Sequence, residues 1–342
     1  MTVLFRCNAS PTIGYGHLTR CRALAQALRR QGETCVMIGP VAADARPEDQ
    51  DIFRDWVPVP NWSSAAEDAT RLVDLARRFD AGWAVLDDYR VDETYQLTLR
   101  AAELHWLQFD GTAHKPLWAD LIVNANLAAH PDEYANVLHN PETRLLLGPR
   151  CAVLRQEFAN VEPRDSKRPV KRILVTFGGG NDRGAIKFVL STLLPRTPST
   201  VDFLVISGPR NPYNSSLVQW VETYGQGRVR LHIDPPQSST LFASCDIAIM
   251  AGGTSTFEAA CCGLPMILIS IADNQTRNSE TWQQFGAAIY LGVFPGIATN
   301  LLTNNVLDLL RDADRRRSMA DAGKTKIDGR GTQRIVEALL TL

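Results

Sequence analysis

The chain has 342 residues, 45% of them hydrophobic and 21% charged, with a formal net charge of −1. That length admits two domains of roughly 100–200 residues each, and the balance is that of a soluble globular protein. The near-neutral charge removes the simplest electrostatic case for a nucleic acid or an anionic membrane as the main partner.

The first predicted strand, 3–7, is a β-branched and aromatic run that ends in Asn8, Ala9, Ser10 and Pro11. Gly14 and Gly16 then open a helix that carries Leu18, Cys21, Leu24, Ala25 and Leu28 at helical spacing. Glycines there allow a tight turn, and the free N–H groups of the helix start favour an anion. His17 sits at that spot, where the positive end of the helix dipole opposes protonation of its ring. Two readings stay open: an anion site with a neutral imidazole beside it, or a glycine turn followed by an exposed histidine. The first fits a phosphorylated substrate.

Further strands are expected at 35–38, 83–86, 105–109, 121–123 and 144–147. The segment 160–171 is charged, holds two prolines and has no periodicity, so it reads as a linker. The alternation restarts at 172–177, 202–206, 228–233, 247–250 and 266–270, with helical stretches between. From 303 to 342 the pattern is helical throughout, with a break near 328–331. The implied architecture is α/β: two doubly wound Rossmann-like domains, 1–160 and 170–342 with a helical tail, facing each other across a cleft. Open parallel sheets bind ligands beyond the carboxyl ends of their strands. Four such ends carry polar or glycine clusters, at 8–17, 87–89, 178–181 and 251–255. Asp87 and Asp88 are either polar strand ends or acceptors for sugar hydroxyls.

At 246–260 a strand runs into Gly252, Gly253, Thr254 and Ser255 and then a helix. The glycines let a diphosphate approach the backbone, and the hydroxyls can cap the helix or donate to phosphate oxygens. Glu258 either closes a capping box with Ser255 or accepts a ribose diol. After the next strand, Asn274 and Gln275 offer amides suited to phosphate and sugar hydroxyls, or else form an Asx turn.

Seven cysteines, an odd number with no CxxC pair, read as reduced buried thiols in a reducing compartment. No apolar run approaches the roughly 20 residues of a membrane-spanning helix. The chain begins in a strand pattern without a basic and then apolar leader, so a cytoplasmic protein is expected. Six histidines show no ligand spacing, so no metal is expected.

In order, these motifs resemble the UDP-2,4-diacetamido-2,4,6-trideoxy-β-L-altropyranose hydrolases of pseudaminic acid biosynthesis. The resemblance runs from RxxxSxxIGxGHxxRC (6–21) through the 87–89 strand end, FDG (109–111), ADLIVN (119–124), LGP (147–149) and LRQEF (154–158). It continues through FGG (177–179), AGGTSTFE (251–258) and ADNQ (272–275). The second half is also similar to the nucleotide domain of the transferases that add N-acetylglucosamine to lipid-linked muramyl peptide, and both families have the GT-B architecture.

The resemblance implies a UDP-sugar and water as partners, no cofactor, and C–O cleavage with inversion. His17 would be the general base, with Tyr89 and Asn274 as active-site partners. Glu258 would take the ribose, Thr254 and Ser255 the diphosphate, and Ile233 the uracil through its backbone. Gly14, Gly16, Gly178, Gly179, Gly253 and Gln275 complete the expected substrate contacts. The chain departs from the family's aspartates at Asn8 and Asn181, with Asp182 a candidate to replace the second. A glycosyltransferase of the same architecture and a non-catalytic nucleotide-sugar sensor are the competing readings. Neither nucleic-acid binding nor membrane insertion is expected, and a monomer is.

Overall fold

Parallel strands need crossovers long enough to carry a helix, and the alternation of apolar runs with helical stretches supplies them. A computed structural model describes residues 1–9, 15–59, 64–162 and 168–342. The chain divides into two compact units, Met1–Gln156 with Arg330–Leu342, and Glu157–Gly329.

The first unit is built on seven strands: β1 (Thr2–Cys7), β2 (Thr34–Gly39), β3 (Asp55–Pro58), β4 (Ala81–Asp87), β5 (His105–Phe109), β6 (Leu121–Asn124) and β7 (Arg144–Leu147). All pair in parallel, in the order β3-β2-β1-β4-β5-β6-β7. Val3, Phe5 and Cys7 share one core with Leu18, Leu24 and Leu28 of the helix Gly16–Arg30. Leu4, Val36 and Ile38 share the opposite core with Leu72, Val73 and Ala76 of the helix Ala65–Phe79. Because both faces are covered, the strands read as continuous apolar runs rather than as alternating ones.

The second unit has six parallel strands: β8 (Arg172–Thr176), β9 (Asp202–Ser207), β10 (Val229–Ile233), β11 (Ile247–Met250), β12 (Met266–Ser270) and β13 (Ala288–Val293). Their order is β10-β9-β8-β11-β12-β13. Ile186 and Val189 of the helix Ala185–Leu193, with Leu302 and Val306 of the helix Thr299–Arg311, cover one face.

Each strand order reverses once, between β1 and β4 and between β8 and β11. Ligands of open α/β sheets bind at such switch points. The four polar clusters marked in the sequence follow β1, β4, β8 and β11.

Three expectations need correction. Neither β3 nor β13 is among the expected strands, because both lack the unbroken apolar run of a buried strand: β3 is four residues with both ends exposed, and β13 contains Gly292 and has only two buried residues. The helical stretch after 303 breaks between Lys326 and Gly331 as expected, but it also breaks at Asp312, whose side chain accepts from Arg315 N (2.8 Å) and starts the helix Ala313–Lys326. Finally, the tail does not stay with the second domain. Ile335, Val336, Ala338 and Leu339 of the helix Gly331–Leu340 join the core that contains Leu18 and Leu24. Thr332 Oγ1 donates to Leu154 O (2.7 Å) and accepts from Leu154 N (3.1 Å). Gly331 permits the approach, since a Cβ there would lie 2.2 Å from Ala152 O. Among the described residues, no helix is long and apolar enough to cross a membrane.

Candidate functional site

In the first unit, the helix after β1 begins at Gly16 with Tyr15 in the cap position and no side-chain cap. Gly14 lies outside the described residues. His17 occupies the first turn and is only 8% exposed, so it is not a surface histidine. Its Nδ1 donates to Asp87 Oδ1 (2.5 Å) at the end of β4, and its ring meets the Tyr89 ring edge-on at 4.8 Å. Tyr89 itself is 66% exposed.

Asp87 also accepts from Arg20, through Nε to Oδ2 (2.8 Å) and Nη2 to Oδ1 (2.5 Å). The Arg20 guanidinium lies over the Phe109 ring, 4.2 Å from its centroid. Burial alone would raise the Asp87 carboxyl, but the Arg20 charge and the His17 hydrogen bond outweigh it and hold the group below the ordinary carboxylate range. Asp88 is committed elsewhere: it accepts from Arg90 N (2.9 Å), Nε (3.1 Å) and Nη2 (2.9 Å), and from Asn8 Nδ2. An aspartate at position 8 would set a second carboxylate against Asp88; the amide instead donates to it, which accounts for Asn8. Both carboxylates are therefore spoken for by protein donors.

Sequence reasoning missed the grip of Asp87 on His17. The available signal was His17 and Arg20, three apart on one helix face, opposite an acidic end of the strand that the switch point places beside β1.

In the second unit, Gly178 adopts a φ of +90° after β8, where only glycine is comfortable. Asp182 is 1% exposed and caps the following helix, Oδ1 accepting from Gly184 N and Oδ2 from Ile186 N, both at 3.0 Å. It is thus committed to its own helix, while Asn181 Oδ1 accepts from Arg183 N (2.8 Å).

After β11, the helix Ser255–Cys261 has Thr254 at its cap position and no side-chain cap. Ser255 is the first helical residue rather than the cap, so the capping box does not form. Gly252 is required by close packing: a Cβ there would lie 2.0 Å from Ser279 Oγ and 2.8 Å from Gln275 O. A polar network that sequence reasoning did not find fastens this loop to the next one. Asn278 Nδ2 donates to Gly252 O (2.8 Å) and Thr256 Oγ1 (3.2 Å), Thr256 Oγ1 to Gly253 O (2.7 Å), and Trp282 Nε1 to Thr256 Oγ1 (2.9 Å). Gln275 Oε1 accepts from Ile271 N (2.9 Å), and its amide nitrogen faces Gly253, 3.9 Å from where a Cβ would sit. Asn274 and Thr254 are exposed, Gly179 is exposed beside Gly178, and Ser255 and Glu258 are half-buried on the helix's first turn. Ile233 ends β10 and is 43% exposed. The structure thus gathers Gly253, Thr254, Ser255, Glu258 and Gln275 around β11 and β12. Among the described residues, no three His, Cys, Asp or Glu side chains are placed to hold a metal ion.

No protein-family profile matches the chain. It is 26% identical over 228 residues to the spore coat polysaccharide biosynthesis protein SpsG of Bacillus subtilis, covering 66% of each chain. It is 22% identical over 284 residues to the UDP-2,4-diacetamido-2,4,6-trideoxy-β-L-altropyranose hydrolase of Campylobacter jejuni, covering 82% of this chain and 96% of that one. It is 29% identical over 217 residues to the UDP-N-acetylglucosamine–N-acetylmuramyl-(pentapeptide) pyrophosphoryl-undecaprenol N-acetylglucosamine transferase of Salinibacter ruber, covering 62% and 56%. The chain therefore spans less than two thirds of the length of SpsG and of the transferase. Among solved structures, MurG of Acinetobacter baumannii superposes with a TM-score of 0.67 at 15% identity, covering 100% of this chain and 99% of that one. The likeness gives the fold: two parallel-sheet α/β domains of the GT-B glycosyltransferase type.

Proposed function

We propose that this protein processes a UDP-linked sugar, and that it does so as a hydrolase releasing UDP from a UDP-linked 2,4-diacetamido-2,4,6-trideoxyhexose. The similarity to a hydrolase and to a transferase that both act on UDP-sugars supports the first part. The similarity to the Campylobacter hydrolase along 96% of its length supports the second, and the imidazole of His17, held through Nδ1 by a buried carboxylate at the switch-point end of its sheet, supplies the base it needs.

With Nδ1 donating, a neutral ring keeps its lone pair on Nε2, the atom suited to take a proton from water. The water oxygen then bonds to the anomeric carbon as the bond from that carbon to the UDP oxygen breaks. Its electron pair passes to the diphosphate, and in-line attack inverts the anomeric configuration. In this reading Gly178, Gly179, Gly253, Thr254, Ser255 and Gln275 receive the diphosphate, Glu258 the ribose and Ile233 the uracil. Backbone N–H groups neutralise the leaving charge without a metal. Tyr89 and Asn274 position water or sugar.

A transferase of the same architecture is supported equally by the similarity to the Salinibacter enzyme, with the same base acting on an acceptor hydroxyl. The test is incubation of the pure protein with a panel of UDP-sugars, following UDP and free sugar by NMR. Free sugar of inverted configuration in water alone is the expected result. Turnover only after an acceptor alcohol is added would establish the transferase instead, and UDP-sugar binding without turnover would establish a sensor.

A further inference from the structure

The carboxylate that holds His17 is shared. Asp87 Oδ1 accepts from both His17 Nδ1 and Arg20 Nη2 at 2.5 Å, and Oδ2 accepts from Arg20 Nε at 2.8 Å. We propose that Asp87 and Arg20 are positioning residues for His17: Asp87 fixes the tautomer that leaves Nε2 able to take a proton, and Arg20, on the same carboxylate, limits how strongly Asp87 favours the charged ring. This deepens, and rests on, the reading of His17 as the base.

A carboxylate in hydrogen-bond contact favours the protonated form of an imidazole, and a base that is already protonated cannot act. A guanidinium on the same carboxylate cancels much of that pull, and arginine stays charged at every working pH. Arg20 is held for this by its two-point grip on Asp87 and by the Phe109 ring beneath it.

The other groups that face the pair come from four elements. On the same helix, Cys21 Sγ lies 4.0 Å from Asp87 Oδ2, and burial, with Cys7 of β1 next, pushes its thiol well up, so it stays neutral. From the end of β4 come Tyr89, ring-on-ring with His17, and Asp88, bound to Arg90 and Asn8. From the end of β5 comes Phe109, under Arg20, followed by Asp110, which acts on Tyr89 and itself accepts from Tyr134 Oη (2.8 Å) and Ala113 N (2.8 Å).

The experiment measures kcat and KM against pH for the wild type, Arg20→Gln, Asp87→Asn and Asp87→Glu, with ¹⁵N NMR of the His17 ring in each. Arg20→Gln leaves Asp87 uncompensated, so the acid limb and the His17 titration midpoint move to higher pH. Asp87→Asn leaves Arg20 beside the ring, so both move to lower pH, and kcat falls about 10²-fold or more as the tautomer is lost. Asp87→Glu restores part of kcat, and KM changes little throughout.

A wild-type ring protonated at Nε2 rather than Nδ1 would overturn the proposal. So would midpoints that stay fixed, or that move the same way in both variants, because a merely structural pair would lower activity without opposed shifts. If Asp87→Asn does not fold, the wild-type tautomer and the Arg20→Gln midpoint decide. Opposed midpoints in a protein that hydrolyses no UDP-sugar would leave the positioning intact and bring down the hydrolase reading alone.

Discussion

Beyond β1 and β4 the first unit sets His17, Arg20, Asp87 and Asp88, side chains that carry or exchange charge. Beyond β8, β11 and β12 the second unit sets glycines, threonine, serine and amides, cross-linked by the Thr256, Asn278 and Trp282 hydrogen bonds, with Asp182 turned inward as a helix cap. The sheets behind these ends share one switch-point topology. Topology therefore fixes where a ligand can sit, and the few residues after each strand decide whether that place moves a proton or holds an anion.

Substitutions on either side test this division. The largest effect is expected from His17→Asn, which cannot take a proton near neutral pH: kcat falls by about 10²–10⁴-fold, while UDP affinity measured by calorimetry is unchanged. A near-normal kcat with a large rise in KM would make His17 a binding residue and blur the contrast. Leu339→Ala, in the returning tail, removes a side chain that is 1% exposed and costs about 2–5 kcal/mol of stability. Hydrogen exchange then rises in the helix Gly16–Arg30 while β8 to β13 keep their protection; the reverse pattern would return the tail to the second unit. Glu258→Ala weakens UDP binding by about 1–3 kcal/mol without moving the acid limb of the rate. Unchanged affinity in the folded variant would leave Glu258 a purely local role. The smallest effect is expected from chelation, because no carboxylate or histidine spacing suits a divalent ion; loss of activity rescued by Mg²⁺ or Mn²⁺ would overturn this.

The central strands were legible because burial on both faces demands unbroken apolar runs such as those of β4, β8 and β11. β3, only four residues long with both ends exposed, and β13, interrupted by Gly292, did not carry that mark. His17 and Glu258 were legible because glycine turns and helix starts are local. The contact of His17 with Asp87 joins residues 70 apart in the sequence, and only the strand order brings them together. Whether Ser255 caps its helix stays open in the sequence because a helix that begins one residue later shares the same local pattern. The place of Asp182 was not legible because a carboxylate looks the same in sequence whether it faces a ligand or the backbone N–H groups of its own helix.

The return of the helix Gly331–Leu340 to the first unit has a consequence for biosynthesis. The second unit is one continuous stretch, 157–329, and is complete before the ribosome has finished the first. Until residues 330–342 emerge, the surface of the helix Gly16–Arg30 on which they pack stays open to chaperones or to misassembly. A chain cut short after the second unit would therefore lose the half that carries His17, not the half next to the cut.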